Sequence, residues 1–176
     1  MSVNTDVIDV CIMDFAGRVL AEANVQLRER IVAQALEQAR NWVHDQQGAL
    51  ALSNERFFGV GLGIAGFHIS GTSFNASLPL HEWSLIELGP LLTSYFDRPV
   101  WALNGGKTGT IAEAMFGAGR HIGDFAYLSF NYGFGVVSSA MANSCMAAMA
   151  TPANSRRCTM KRRSPADRHF SSSWKS

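Results

Sequence analysis

The feature that most constrains this fold is a regular alternation of two hydrophobic periods between residues 7 and 130. Short β-branched or apolar runs, typical of strands, alternate with longer segments in which apolar residues recur every three or four positions, as on an amphipathic helix. Strands separated by helices are typical of α/β layers whose strands run at least partly parallel. The pattern therefore predicts an α/β fold in the order β-β-α-β-α-β-α-β.

The first helix has the clearest signal, because Val32, Leu36, Ala39 and Val43 recur at helical spacing in a polar background. Turn residues between the apolar runs set the other boundaries. The predicted strands are 7–13, 18–25, 57–62, 99–103 and 125–130, and the predicted helices are 28–47, 84–96 and 108–116.

Length and composition exclude several classes of protein. With 176 residues, of which 47% are hydrophobic and 16% charged, the chain can bury a core of ordinary domain size. It contains no apolar run of about 18 residues and no basic stretch leading into an apolar one at the N-terminus, so we expect a cytoplasmic protein that makes no membrane contact. The three cysteines, Cys11, Cys145 and Cys158, lack metal-ligand spacing and are predicted to be free thiols.

The net charge of +1 conceals two sequences of different character. Residues 1–135 contain 8 Lys and Arg against 13 Asp and Glu, a balance of −5, whereas residues 136–176 contain 7 against 1, a balance of +6. The alternating pattern stops at the same place, and the remaining residues are rich in Ala, Ser, Met and Arg. We therefore expect 136–176 to be a basic, disordered tail.

Two glycine motifs imitate nucleotide-binding loops. Gly61, Gly63 and Gly66 match G-x-G-x-x-G, but the residues that follow indicate a strand and turn instead of the helix that a dinucleotide site requires. The segment 105–108 imitates the end of a P-loop, yet the position of its first glycine is Trp101. Lys107 is therefore predicted to be a solvated residue at a helix start, although a lysine there could meet an anion.

The histidines give no metal site. His68, His81 and His121 lie in predicted loops without acidic or cysteine partners at ligand spacing, so we expect surface histidines and no bound metal.

Three ordered segments resemble the ROK family of sugar kinases and sugar-responsive transcriptional repressors. They read FNASLPLHEW at 74–83, RPVWALN at 98–104 and AEAMFGAGR at 112–120. The resemblance implies an actin-like, ribonuclease H-like α/β lobe over 1–124, with a second lobe starting at 125–135 and otherwise absent. It also implies that Gly66 and Asn104 bind a hexose-type sugar, and that Gly133 and Gly135 belong to a phosphate-binding loop. Family kinases use ATP and Mg²⁺.

Departures from the family pattern bear on activity. The aspartate that would act as general base on the sugar hydroxyl is Gly105 here, so no catalytic residue is predicted and neither ATP nor Mg²⁺ is expected to be used. Only six residues precede the strand at Val7, so the family's first strand is expected to be missing or vestigial. No winged helix-turn-helix domain is present in the sequence, which argues against a nucleic acid partner.

The tail has a further explanation in the genetic code. Back-translating 140–154 and reading one base earlier permits G-N-G-E-L-M-H-G-R-H-G-N-A-G-E, which resembles the family's continuation. The same shift of 136–139 permits G-G-V-V. A one-base frame change near Gly135 would therefore explain both the composition change and the basic charge.

The sequence favours a truncated ROK-family sugar-binding protein of the transcriptional-regulator branch that binds sugar weakly and does not phosphorylate it. One alternative is an ATP-dependent hexose or fructose kinase in which Lys107 or a water replaces the lost base. Another is a module that binds DNA or self-associates through the basic tail, and apolar surface on 1–135 makes a homo-oligomer the expected form of self-association.

Overall fold

The computed structural model describes residues 1–27, 31–130 and 134–140. Nine strands and three α-helices lie in these ranges, together with short 3₁₀ helices at Asn54–Arg56, Leu78–Trp83 and Ala118–Arg120. The strands are β1 (Ser2–Val3), β2 (Val7–Met13), β3 (Val19–Gln26), β4 (Val60–Ile64), β5 (Gly66–Ser70), β6 (Ser73–Ala76), β7 (Val100–Asn104), β8 (Ala126–Phe130) and β9 (Phe134–Ser138), and the helices are α1 (Val32–Ala49), α2 (Leu88–Phe96) and α3 (Gly105–Phe116).

A five-stranded sheet organises the fold, with the order β3-β2-β1-β4-β7. Strands β1, β4 and β7 run parallel, and β2 and β3 form an antiparallel hairpin on the other side of β1. This arrangement confirms the predicted mixed α/β fold. The strand β1 is central in the sheet and two residues long, and the predicted absence or reduction of the family's first strand stays a prediction.

Helices α1 and α2 pack together and provide the apolar core against one face of the sheet. The period predicted for α1 holds: Leu36, Ala39 and Val43 are buried, and Val32 packs against the core from its edge. Alternate residues of β2 complete the core, since Ile8 and Val10 are at most 2% exposed. The α2 side of the core contains the largest buried side chain, that of Trp83.

The predicted start of α2 at residue 84 is wrong, because the helix begins at Leu88. Ser84 is extended, and its hydroxyl accepts a hydrogen bond from the Ala76 amide at 3.1 Å. Leu85 has φ of +61°, in the left-handed region that a helix cannot pass through. A tertiary contact with β6 therefore moves the start of α2 from the predicted residue 84 to Leu88.

The strand predicted at 57–62 is displaced to Val60–Ile64. The Phe57 carbonyl is instead occupied by the Arg98 side chain, whose Nε donates to it at 2.7 Å. The same guanidinium donates to the Asn54 carbonyl at 2.8 Å. Arg98 thus holds this segment as a loop against the start of β7.

The hairpin of β8 and β9 crosses the boundary predicted after Gly135. Val136, Val137 and Ser138 pair with the first residues of β8, and Val137 is 6% exposed. The predicted disorder of 136–176 is therefore wrong for these strand residues, because they have backbone partners. The rest of the predicted tail, 141–176, lies outside the described residues, and the proposed division at residue 125 stays a prediction.

Among the described residues, none of the helices has the length and apolar character needed to cross a bilayer.

Candidate functional site

Asn104 lies where β7 ends and α3 begins, and its side-chain amide connects three segments of the chain. Its Oδ1 accepts a hydrogen bond from the Lys107 amide at 3.3 Å and so caps the N-terminus of α3. Its Nδ2 donates to the Gly66 carbonyl at 2.6 Å. The structure therefore brings together the two residues predicted to bind sugar, which are 38 positions apart in sequence.

Gly66 is a glycine because its surroundings leave no room for a side chain. A Cβ atom at this position would lie 3.0 Å from the Asn75 carbonyl oxygen and 3.2 Å from the Ala76 Cα. Gly66 begins β5 and pairs with Ala76 of β6. The residues after Gly66 form a strand, as expected, so the G-x-G-x-x-G match is not followed by the helix of a dinucleotide site.

Gly105 is the first residue of α3, directly after the Asn104 cap. The helix therefore begins three residues before the predicted start at 108, because capping by Asn104 satisfies an early amide of the helix. A Cβ atom on Gly105 would lie 3.6 Å from the Ile64 carbonyl oxygen and 4.0 Å from the Ala65 amide nitrogen, which are ordinary contact distances. The local packing would therefore accommodate a Cβ atom at this position.

Lys107 is half-buried in the first turn of α3. The prediction of a solvated lysine is wrong in this respect. Burial lowers the pKa of the Lys107 ammonium from its ordinary value, and the positive end of the helix dipole also disfavours a cation here. A larger fraction of neutral amine is therefore expected at Lys107 than at an exposed lysine.

Ser77 is a candidate that the sequence reasoning missed. Its Oγ is buried and has no hydrogen-bond partner among the described residues. Ser77 follows Ala76, the residue that pairs with Gly66, and precedes the 3₁₀ helix Leu78–Trp83. Buried polar atoms normally have partners, so an unpartnered hydroxyl indicates a place where a polar group could bind. This indication comes from the structure and has no counterpart in the sequence.

The glycines predicted to bind phosphate are not both described. Gly135 lies in β9, opposite Ser129 of β8, and a Cβ atom there would meet only the Ser129 Cβ, at 3.9 Å. Gly133 lies outside the described residues. The phosphate-binding loop therefore stays a prediction.

The described residues contain no cluster of three or more His, Cys, Asp or Glu side chains that could hold a metal ion. His68 contacts the Phe74 ring edge-on at 5.4 Å, with its Nε2 3.0 Å from the Gly71 carbonyl, and His81 pairs with neighbouring Glu82 at 2.9 Å. Both histidines therefore have local roles, and His121 is exposed. Cys11 is a free, exposed thiol, whereas Cys145 and Cys158 lie outside the described residues.

Comparison with known proteins gives structural matches only. No family model matches the sequence, and no curated protein sequence matches it. Among solved structures, a ROK family transcriptional regulator, a homolog of the E. coli MLC protein, matches with a TM-score of 0.64 at 17% identity, over 78% of this chain and 35% of that protein. The ROK hexokinase of Thermus thermophilus matches with a TM-score of 0.63 at 18% identity, over 78% and 44%.

A third match is the inorganic polyphosphate/ATP-glucomannokinase of Arthrobacter sp. strain KM, with a TM-score of 0.59 at 22% identity over 78% of this chain and 55% of that protein. The chain thus spans between about a third and just over half of the length of these structures. Its structural neighbours are ROK family members, both regulator and kinases. This chain has the actin-like ATPase fold of the ROK sugar kinases.

Proposed function

We propose that this chain is a ROK-family sugar-binding protein of the regulator branch that does not phosphorylate its sugar. The observation that carries the proposal is the junction of Gly66, Asn104 and Gly105. It places two residues that the family resemblance assigns to sugar binding in hydrogen-bonded contact, and it leaves the adjoining helix start without a carboxylate.

The missing carboxylate decides between binding and catalysis. Phosphoryl transfer to a sugar requires a group that orients or deprotonates the acceptor hydroxyl. Gly105 supplies no side chain for this task, and the absence of a general base typically costs a factor on the order of 10² to 10⁴ in rate. A Cβ atom at this position would make only ordinary contacts, so the absence of a carboxylate here is not explained by crowding at the Cβ.

Two polar groups suit a sugar hydroxyl, one at the junction and one on the residue that follows Ala76 in the chain. The buried Ser77 Oγ has no partner in the described chain and can both donate and accept a hydrogen bond. The Asn104 amide has a second N–H beside the one that donates to Gly66. We infer that these two groups bind the same hexose, with low affinity because the chain spans only part of the matched structures.

The proposal that the chain belongs to the regulator branch rests on Gly105 and not on structural similarity. The regulator and the hexokinase give nearly equal TM-scores, 0.64 and 0.63. A regulator has to bind sugar without transferring phosphate to it, so the absence of a base would not impair that role.

Lys107 favours a second candidate function, a sugar kinase with an unusual base. Burial lowers the pKa of this lysine, and a neutral amine can accept a proton. Under this alternative, sugar-dependent ADP release would be measurable in a coupled assay and would be lost in Lys107→Gln. The absence of turnover in the unaltered chain would exclude it.

Calorimetric titration of the purified chain with a panel of hexoses tests the first proposal. We expect millimolar binding of at least one hexose, weakened in Ser77→Ala and unchanged in Ser94→Ala. Ser94 is the matched control because it is an exposed serine on α2 whose hydroxyl already donates to the Leu91 carbonyl at 2.6 Å. Binding that is equal in the two variants, or no binding of any hexose, would contradict the proposed site.

A further inference from the structure

Four exposed aromatic side chains lie together at one end of the five-stranded sheet. We call them the aromatic surface: Phe15 in the turn between β2 and β3, Phe58 just before β4, Trp101 in β7 and Phe116 at the end of α3. Their exposed fractions are 88%, 62%, 43% and 50%. Clustered exposed apolar area is typical of a surface that contacts another molecule.

Contacts join these rings into one surface. Phe15 and Phe58 form its centre, because their rings pack with centroids 5.1 Å apart at an interplanar angle of 59°. The residue after Phe58 is Gly59, and a Cβ atom there would overlap the Trp101 ring. The Trp101 ring therefore lies directly on the backbone beside the central pair.

The Phe116 ring extends the surface at the turn that carries Phe15. It lies against Gly17, which has φ of +81° and where a Cβ atom would overlap the ring. Both the left-handed backbone and this contact therefore favour glycine in the turn. Rings that the fold already holds in place lose little conformational freedom on binding, so the aromatic surface is preorganised for a partner.

The exposed area of the four rings matches the apolar area that a dimer needs. Each aromatic side chain has roughly 150–250 Å² to bury, so the exposed fractions correspond to roughly 350–600 Å² of aromatic surface. A standard interface buries about 800 Å² on each partner, of which about 57% is apolar. The rings therefore supply the apolar part of one standard interface, and polar residues around them supply the rest.

Balanced charge favours a second copy of this chain as the partner. Each of the four segments that carry a ring contains one acidic and one basic residue. In chain order these are Asp14 and Arg18, Glu55 and Arg56, Asp97 and Arg98, and Glu113 and Arg120. Four acidic and four basic residues give a charge of zero, whereas residues 1–135 as a whole have 8 Lys and Arg against 13 Asp and Glu. Two copies therefore meet here without the repulsion that the rest of this acidic region imposes, and a strongly charged partner such as a nucleic acid gains nothing.

We propose that the aromatic surface is the interface of a two-fold symmetric homodimer. A two-fold axis that passes between the rings of the central pair brings Phe15 of one copy to Phe58 of the partner subunit, at two equivalent places. The surface lies where β4 and β7 begin, whereas Gly66 and Asn104 lie where these strands end, about 15 Å away along five residues of strand. The dimer therefore does not rest on the proposed sugar site.

Sedimentation equilibrium of the full chain over a series of concentrations tests the dimer. We expect a monomer–dimer equilibrium with a dissociation constant in the micromolar range. Phe15→Glu and Phe58→Glu should each raise this constant by about tenfold or more, because each substitution places two unpaired charges in the interface. Circular dichroism verifies that each variant is folded, and two positions on different segments keep the test decisive when one variant unfolds.

Phe67→Glu is the matched control for these substitutions. Phe67 is 64% exposed on β5, close to the 62% of Phe58, and lies outside the aromatic surface. Its substitution introduces the same charge at a similar exposure, so the dissociation constant should stay within about twofold of that of the unaltered chain.

A pair of opposite substitutions tests the two-fold arrangement itself. Chains with Phe15→Lys and chains with Phe58→Glu should each dimerise weakly alone. In a mixture, the introduced ammonium of one chain faces the introduced carboxylate of the other, and the second contact stays that of the two unaltered phenylalanines. We therefore expect the mixed dimer to have a dissociation constant about tenfold or more below that of either variant alone.

A chain that stays monomeric at hundreds of micromolar would overturn the proposal. So would a dimer that Phe67→Glu weakens as much as Phe15→Glu and Phe58→Glu do, or a mixture that associates no better than its components. Growth beyond the dimer with rising concentration would also overturn it, because an interface closed by a two-fold axis stops at two copies.

Discussion

Restoring a carboxylate at the start of α3 by Gly105→Asp is the most informative substitution at the site. The added Cβ would be 3.6 Å from the Ile64 carbonyl oxygen, 3.8 Å from the Ile64 carbonyl carbon and 4.0 Å from the Ala65 amide nitrogen. Gly105 has helical backbone geometry as the first residue of the helix, so the change requires neither a backbone shift nor a strained φ. We therefore expect the substitution to stabilise the protein.

Two contributions determine how much Gly105→Asp should stabilise the protein. Replacing a glycine within a helix reduces the backbone entropy lost on folding, which is worth about 0.5–1 kcal/mol. A negative charge in the first turn interacts favourably with the helix dipole, which adds about 0.3–1 kcal/mol at low ionic strength. The free energy of unfolding should rise by about 1–2 kcal/mol, and the Tm by roughly 2–8 °C for a chain of this size.

Thermal unfolding at low and high salt measures both contributions, with Gly105→Asn as the control of equal size and no charge. The difference between the two variants should shrink as salt screens the dipole interaction. A loss of stability in Gly105→Asp would refute the argument that this position has room for a side chain. We expect no sugar-dependent ADP release from either variant, because the chain spans only part of the kinases it matches, and turnover in Gly105→Asp alone would refute that expectation.

Of three further predictions, two concern contacts at the site and the third concerns the carboxyl of Glu87. Asn104→Ala removes the cap of α3 and the bond to the Gly66 carbonyl, and should lower the free energy of unfolding in urea by about 1.5–3 kcal/mol. Gly66→Ala places a Cβ 3.0 Å from the Asn75 carbonyl oxygen, and the backbone shift that follows should cost about 1–3 kcal/mol in the same assay. The hydroxyl and amide of Thr72 donate to Glu87 at 2.7 and 3.0 Å and lower the pKa of that carboxyl. The unfolded state therefore binds the Glu87 proton more readily, and the stability that the charged form provides is present above the ordinary glutamate pKa and is lost as pH falls through the lowered value. Acid titration of stability should show a smaller loss in this range for Glu87→Gln.

Each of these predictions has a control or a contradicting result. Asn104→Asp keeps an acceptor at the helix cap but turns a carboxylate oxygen toward the Gly66 carbonyl, so equal stability of the Asp variant and the unaltered chain would contradict the proposed bridge. Gly61→Ala is the control for Gly66→Ala because a Cβ at Gly61 meets nothing within 4 Å, and it should be neutral or slightly stabilising. An acid profile that is identical in Glu87→Gln and the unaltered chain would show that the Thr72 contacts do not act in solution.

Much of the fold was predictable because it depends on hydrophobic periodicity. The α1 period identified the buried residues Leu36, Ala39 and Val43, and a β-branched apolar run followed by turn residues identified β2 and β3 with nearly correct ends. These signals are local: a residue three or four positions away lies on the same helical face, and a residue two positions away lies on the same face of a strand. The three segments at 74–83, 98–104 and 112–120 that resemble the ROK family also predicted the fold that the structural matches support.

The boundaries were less predictable where a distant group decides them. The start of α2 depends on the Ser84 hydroxyl, which is engaged by the Ala76 amide, and the start of β4 depends on Arg98, which donates to the Phe57 carbonyl from 41 positions away. The two-residue β1 has no periodicity to detect, because its partners in β2 and β4 alone make it a strand.

At the candidate site, sequence reasoning was enough to single out Gly66, Asn104 and Gly105, since all three stand at predicted strand ends and Asn104 closes one of the segments that resemble the ROK family. Three properties became visible only in the folded chain: Asn104 contacts Gly66, a Cβ atom at Gly105 would make only ordinary contacts, and the Ser77 hydroxyl is buried without a partner among the described residues. The physical reason is that periodicity reports which face of an element is apolar, whereas hydrogen-bond satisfaction and free volume depend on groups that only chain folding brings within a few ångströms.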